Sequence, residues 1–163
     1  MAFDGLLLNR KKDIVDRWLR LICDTYPTET AKFLRSDTDR FANPIGHIFA
    51  IETERLFNQL LDGMDADQVR LSLDNIMGIQ AVQDFKPSRA IEFVFLLKDV
   101  LREVAKSDSG DFAEDLREFE SKIDALALEA FDSYTERREK LAEIRLNEMK
   151  RTMRRFNKKA CGQ

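Results

Sequence analysis

Residues 89–105 read "RAIEFVFLLKDVLREVA", and the fold turns on how that stretch is taken. Ile91, Phe93, Val94, Phe95, Leu96, Leu97, Val100, Leu101 and Val104 cover more than one side of a helix at its 3.6-residue period. A helix that is apolar nearly all round lies at the centre of its fold or is covered by another chain.

Working outward, the corner "DFKPS" (residues 84–88) precedes this helix, with Ser88 as a cap or Pro87 as its first residue. "KSDSGD" (106–111) breaks it. Asp111 with Glu114 predicts a capping box for a last helix. No Gly or Pro interrupts Phe112 to Ala160. Leu116, Phe119, Ile123 and Leu126 step by three and four, a short heptad-like seam read here as a dimer contact. Beyond Tyr134 the pattern shifts to Leu146, Met149, Met153 and Phe156. Helical throughout, this segment would run roughly 70 Å at about 1.5 Å per residue. A compact domain of this size is only about 40 Å across. Part of the helix should therefore project, and an apolar stripe on a projecting helix wants a partner, most simply the same helix of a second chain.

Towards the N-terminus, Asp4 is placed to cap a first helix whose inner face carries Leu7, Ile14, Trp18 and Ile22. It ends near Tyr26-Pro27, and Pro27 can open a short helix through "ETAKFLR". The polar stretch "SDTDR" (36–40) follows. Asn43 then caps a helix with Pro44 in its first position, carrying Ile45, Ile48, Phe49, Leu56 and Leu60 and stopping at Gly63. Asp65 or Asp67 starts the next, with Val69, Leu73, Ile76 and Val82 inside.

Composition agrees with an all-α reading. Among 163 residues, six Gly and three Pro leave few turn positions for a sandwich or barrel. Hydrophobic residues at 44% can build a core, and 35% charged residues suit long solvated helices. The net charge of −3 is unevenly spread. Six of the 27 basic residues and none of the 30 acidic ones follow Met149, so residues 1–148 carry 21 against 30, or −9. An acidic body argues against nucleic acid as a partner. Cys23 and Cys161 make neither a disulfide framework nor a zinc pattern, and a reducing cytoplasm is expected. The opening "MAFDGLLLNRKKD" is expected to be neither a signal peptide nor a membrane span.

Several residues invite chemistry. His47, the one histidine, stands just after the Asn43-Pro44 helix start; without companion donors it is read as a helix-start residue and not as a haem or metal ligand. No cofactor or metal is expected. The corner where Gln80, Gln83, Asp84, Ser88 and Arg89 bring polar groups to two helix ends offers, through Gln80, Asp84, Ser88 and Arg89, an anion or small-ligand site at a helix N-terminus, against the plainer reading of capping and local ion pairs. One His, no GxSxG and no Gly-rich phosphate loop argue against an enzyme. In "MKRTMRRFNKK" (149–159) the face of Leu146, Met149, Met153 and Phe156 lies among six cations. It reads as a docking face for a protein groove or, less readily, for an anionic membrane surface, against a solvated helix end.

"DRFANPIGHIF" (39–49), "IQAVQDFKPSRAIEFVFLLKDVLRE" (79–103) and "IDALALEAFDSYTERREKL" (123–141) resemble the N-terminal domain of the RsbR/RsbRD stressosome proteins, the RsbT co-antagonist family. The resemblance runs from Ile14 to about Leu141. It implies a non-haem, globin-like helical domain that dimerises, serves as a sensory input and leads through its last helix towards a STAS domain. After Leu141 only 22 residues follow, too few for a STAS domain, so output by that route is expected on another polypeptide. As a stand-alone domain the chain also resembles small proteins of sulfate-reducing bacteria. The expectation is an all-α, globin-like bundle of five or six helices over 1–141 with a basic helical extension over 142–163. Its expected function is that of a non-enzymatic, cytoplasmic, homodimeric sensory or interaction module with a STAS or kinase-type protein partner. The alternatives are a small-ligand binding protein with a pocket in the core, and an adaptor that docks to a redox or membrane-associated complex through the basic helix.

Overall fold

A computed structural model describes residues 2–36 and 41–162. Among them seven helices follow in order: α1 (Ala2–Asn9), α2 (Lys11–Asp24), α3 (Thr28–Ser36), α4 (Pro44–Asp62), α5 (Ala66–Val82), α6 (Pro87–Ser107) and α7 (Ala113–Ala160). No strand occurs among the described residues. Apart from Ser36, which ends α3, the stretch "SDTDR" lies outside them.

Helix boundaries follow local chemistry where that chemistry is strong. Asn43 caps α4 by accepting the Gly46 amide at 3.0 Å, and Pro44 fills the first helical position. At the far end Gly63 takes the left-handed conformation, φ 106°, which a residue without Cβ adopts at little cost. Asp65 caps α5 by accepting the Gln68 amide at 3.0 Å.

Weaker signals behave differently. The first helix is two, because the chain breaks at Arg10 (φ −101°, ψ 8°), and this accounts for a seventh helix. Asp4 lies inside the first turn of α1, not ahead of it. Ser88 sits one residue inside α6, whose start is set by Pro87 without any side-chain cap. The capping box predicted for α7 is absent: Phe112 holds the cap position, and Asp111 only accepts the Ala113 amide at 3.4 Å. Val82, expected inside, is 67% exposed at the last position of α5.

The apolar helix that opened the sequence is the centre of the fold. α6 packs on α2 along one side and on α7 along another, while α5 joins α4 to α7. Phe93, Val94, Leu97, Val100, Leu101 and Val104 are buried with Trp18 and Ile14 of α2 and Ile123 of α7. Removing one such large side chain from water stabilises by roughly 1.5–3 kcal/mol, so this layer dominates the favourable side of folding. Phe95 is the exception on α6, at 45% exposed.

α7 is continuous over 48 residues. Its inner residues Phe119, Ile123, Leu126, Ala127, Ala130 and Tyr134 are buried, and Leu141 still packs partly on the core. From Ala142 to Gly162 every residue is exposed. The final turns of α7, about five at 3.6 residues each, thus extend beyond the body with no tertiary support.

Candidate functional site

The corner between α5 and α6 brings three helix ends together. Asp84, the second residue after α5, has φ 59°, which turns the chain sharply towards Pro87. Its carboxylate pairs with Arg138 of α7, and Arg138 Nη1 also donates to the Ala81 carbonyl at 3.2 Å. A single guanidinium therefore ties the end of α5 to α7. The Tyr134 hydroxyl donates to the Phe85 carbonyl beside it. On the other side Phe85 packs against Tyr26 with ring centroids 5.6 Å apart, and the Arg89 guanidinium sits 5.2 Å from the Phe85 centroid. Arg89 donates to the Thr25 carbonyl at the end of α2.

Polar groups continue inward. The Tyr26 hydroxyl donates to Gln83 Oε1 at 3.0 Å. Burial pushes its pKa up to about 12, despite the opposing effect of nearby amides and Arg89. Gln80 lies close by, 4% exposed, and its Oε1 has no partner among the described residues. Ser88 and Arg89 are exposed.

The structure thus gathers Gln80, Asp84 and Arg89 around one corner, with two of their three polar groups engaged in joining helices. Asp84, Phe85, Lys86 and Pro87 face Tyr134, Thr135, Arg138 and Glu139 across an open groove of about 400 Å³. Tyr26, Gln83, Phe85, Tyr134 and Arg138 complete the corner. The sequence reading missed all of them as site residues except Gln83, because their partners lie tens of residues away.

A second polar cluster links α4 and α5. Glu52, only 4% exposed, accepts Asn75 Nδ2 at 2.9 Å and Arg55 Nη1 at 3.0 Å through Oε1, while Oε2 and the Thr53 hydroxyl have no partner among the described residues. His47 lies one turn earlier, in the first turn of α4, its amide bonded to the Asn43 carbonyl at 3.0 Å. Among the described residues no three His, Cys, Asp or Glu side chains come together as a metal site.

The seam on α7 needs a correction. Phe119, Ile123 and Leu126 are 3%, 0% and 1% exposed, and Leu116 packs against the same core. They face α6 and α4 of their own chain, which leaves no surface there for a second one. Phe119 meets Phe57 of α4 and Phe3 of α1 with centroids 6.4 and 6.3 Å apart.

By contrast Leu146, Met149, Met153 and Phe156 are 51%, 63%, 64% and 73% exposed, on the part of α7 that leaves the body. Six Lys and Arg side chains surround them. No helix among the described residues is long and apolar enough to cross a membrane.

The whole arrangement is a helical body with one long helix running from its core into solvent. A family model described as the RsbT co-antagonist protein rsbRD N-terminal domain matches residues 12–149. Neither a curated protein nor a solved structure matches the chain. The family match spans the body and the root of the extension, and the chain belongs to that family, whose domains are stressosome-type signalling inputs.

Proposed function

We propose that this member of the rsbRD N-terminal family is a non-enzymatic sensory and interaction module: a globin-like helical domain without haem that works as a homodimer in the cytoplasm. The observation that carries this reading is α7. One helix is a wall of the core at Phe119–Tyr134 and an exposed apolar stripe at Leu146–Phe156. A change in core packing and a change in partner binding would act on the same rigid element, the arrangement an input domain requires.

The partner fitting this reading is a regulator of STAS or kinase type on a separate chain, contacted through the body or the extension. Two measurements test the proposal. Light scattering at micromolar concentration should give twice the chain mass, and a monomer would count against the homodimer. The purified chain should co-elute with STAS-domain or kinase-type regulators of its host. Absence of such binding together with turnover of a small substrate would sink the signalling reading.

A further inference from the structure

Beyond Leu141, α7 carries a second apolar stripe unrelated to its buried one. At 100° per residue, Ala142, Leu146, Met149, Met153 and Phe156 fall within an arc of about 80°. Lipid-facing helices present a broader face; a narrow stripe of this kind is the seam of a helix pair. The charges beside it change sign along the helix. On one flank, within the next 100° or so, stand Asp132, Glu139 and Glu143, followed on the same flank by Lys150, Arg154 and Lys158. All six are exposed.

Two helices that pair antiparallel bring like-named flanks face to face, whereas parallel helices match a flank with its opposite. We propose that the extension pairs antiparallel with the same segment of a second copy of this chain. Glu143 then stands opposite Lys150 and Glu139 opposite Arg154, twice over by symmetry. Core layers of an antiparallel pair are staggered by two residues from such flank pairs, so this register sets Leu146 opposite Met149 and Ala142 opposite Met153. It also carries Phe156 to the level of Glu139, over the groove that Phe85, Pro87, Tyr134 and Thr135 line at the corner of the other copy. Phe156, 73% exposed in the single chain, thereby gains an apolar seat. A parallel pair would instead set the cations of 150–159 against their own copies, with no carboxylate beyond Glu148 to offset them. This inference rests on the homodimer reading and adds its geometry.

Cys161 is exposed and Cys23 buried, so a spin label directed to native thiols attaches at the tip of α7 in the unaltered chain. In the antiparallel register each Cys161 lies opposite residue 134 of its mate, and the two labels should be roughly 40 Å apart along the pair, at about 1.5 Å per residue. Labels much closer than this in a dimer mean a parallel pair, and labels much farther apart mean a dimer formed elsewhere. Either result overturns this inference and leaves the homodimer standing, whereas a monomer overturns both. Charge reversal gives an independent check. Lys150→Glu with Arg154→Glu should raise the dimer dissociation constant about tenfold at low salt, and adding Glu139→Lys with Glu143→Lys should restore it. All four positions are exposed, so circular dichroism should be unchanged; a failure to restore would go against the pairing. Sedimentation of a monomeric chain with phosphatidylglycerol vesicles would assign the stripe to lipid and overturn the proposal.

Discussion

Trp18 on α2 donates its indole N–H to the Phe93 carbonyl of α6 at 2.7 Å, and the two rings stack with centroids 6.3 Å apart. This contact joins residues 75 apart in sequence at the centre of the fold. Trp18→Phe keeps most of the apolar volume but loses the bond. The Phe93 carbonyl still lies within the helical ladder, so the loss should be modest, about 1–2 kcal/mol. Chemical denaturation followed by circular dichroism measures it. Trp18→Ala opens a cavity as well and should cost roughly 3–5 kcal/mol.

Asn43 performs three tasks at once. It caps α4 through Oδ1, and its Nδ2 donates to the Phe33 and Leu34 carbonyls at 3.1 and 3.0 Å, which closes the end of α3. Asn43→Ala should therefore exceed an ordinary cap loss, reaching about 2–3 kcal/mol. Gly46 is locked in the same contact: a Cβ there would come within 2.3 Å of Asn43 Nδ2 and 2.7 Å of the Leu34 carbonyl oxygen. Gly46→Ala should be destabilising even though alanine favours helices, and a stability gain in the denaturation midpoint would contradict the packing described.

Both tyrosines of the chain titrate above their ordinary range. Burial is the leading cause for each, bringing Tyr26 to about 12 and raising Tyr134 as well. A phenol whose pKa is raised by folding contributes stability in full below its unfolded value of about 10, and loses it as pH climbs through the folded value. The tyrosinate absorbance of the native protein should stay low at pH 10, and unfolding should steepen between about 10 and 12. Tyr26→Phe should weaken that alkaline loss. Normal titration of either tyrosine near 10 in folded protein would be inconsistent with the burial.

Truncation after Arg145 removes only side chains that are exposed in the single chain. The body should keep its fold, and its stability at low protein concentration should shift by less than about 0.5 kcal/mol, as for surface changes away from packed features. Helical signal should fall in proportion to the residues removed. Cooperative loss of the body on truncation would show that the extension supports it.

Local chemistry was the legible part of this fold. Asn43-Pro44 and Gly63 mark α4 because a cap and a left-handed glycine act within four residues. The central place of α6 was likewise visible in its own apolar run. The break at Arg10 was not, because nothing in "LNRKKD" forbids helix. The seam of Leu116, Phe119, Ile123 and Leu126 shows a different limit. Periodicity tells which residues share a face, and only tertiary packing decides that the face opposite belongs to Phe57 and Phe3 of the same chain. The burial of Glu52 was hidden for a related reason: a carboxylate reads as surface until Asn75, 23 residues later, folds over it. At the corner, Gln80, Asp84 and Arg89 were found through their nearness to a helix start. Arg138, which holds that corner shut, has no local sign of its role.

The Arg138 clasp also makes α7 a lever. Its guanidinium pins the helix to Asp84 and the Ala81 carbonyl, and 22 residues of helix follow it, through Ala160. At about 1.5 Å per residue that arm is roughly 33 Å long, so a 10° tilt about the clasp sweeps the tip through about 6 Å. A rearrangement too small to disturb the core packing would carry Phe156, 18 residues out from the clasp, through nearly 5 Å.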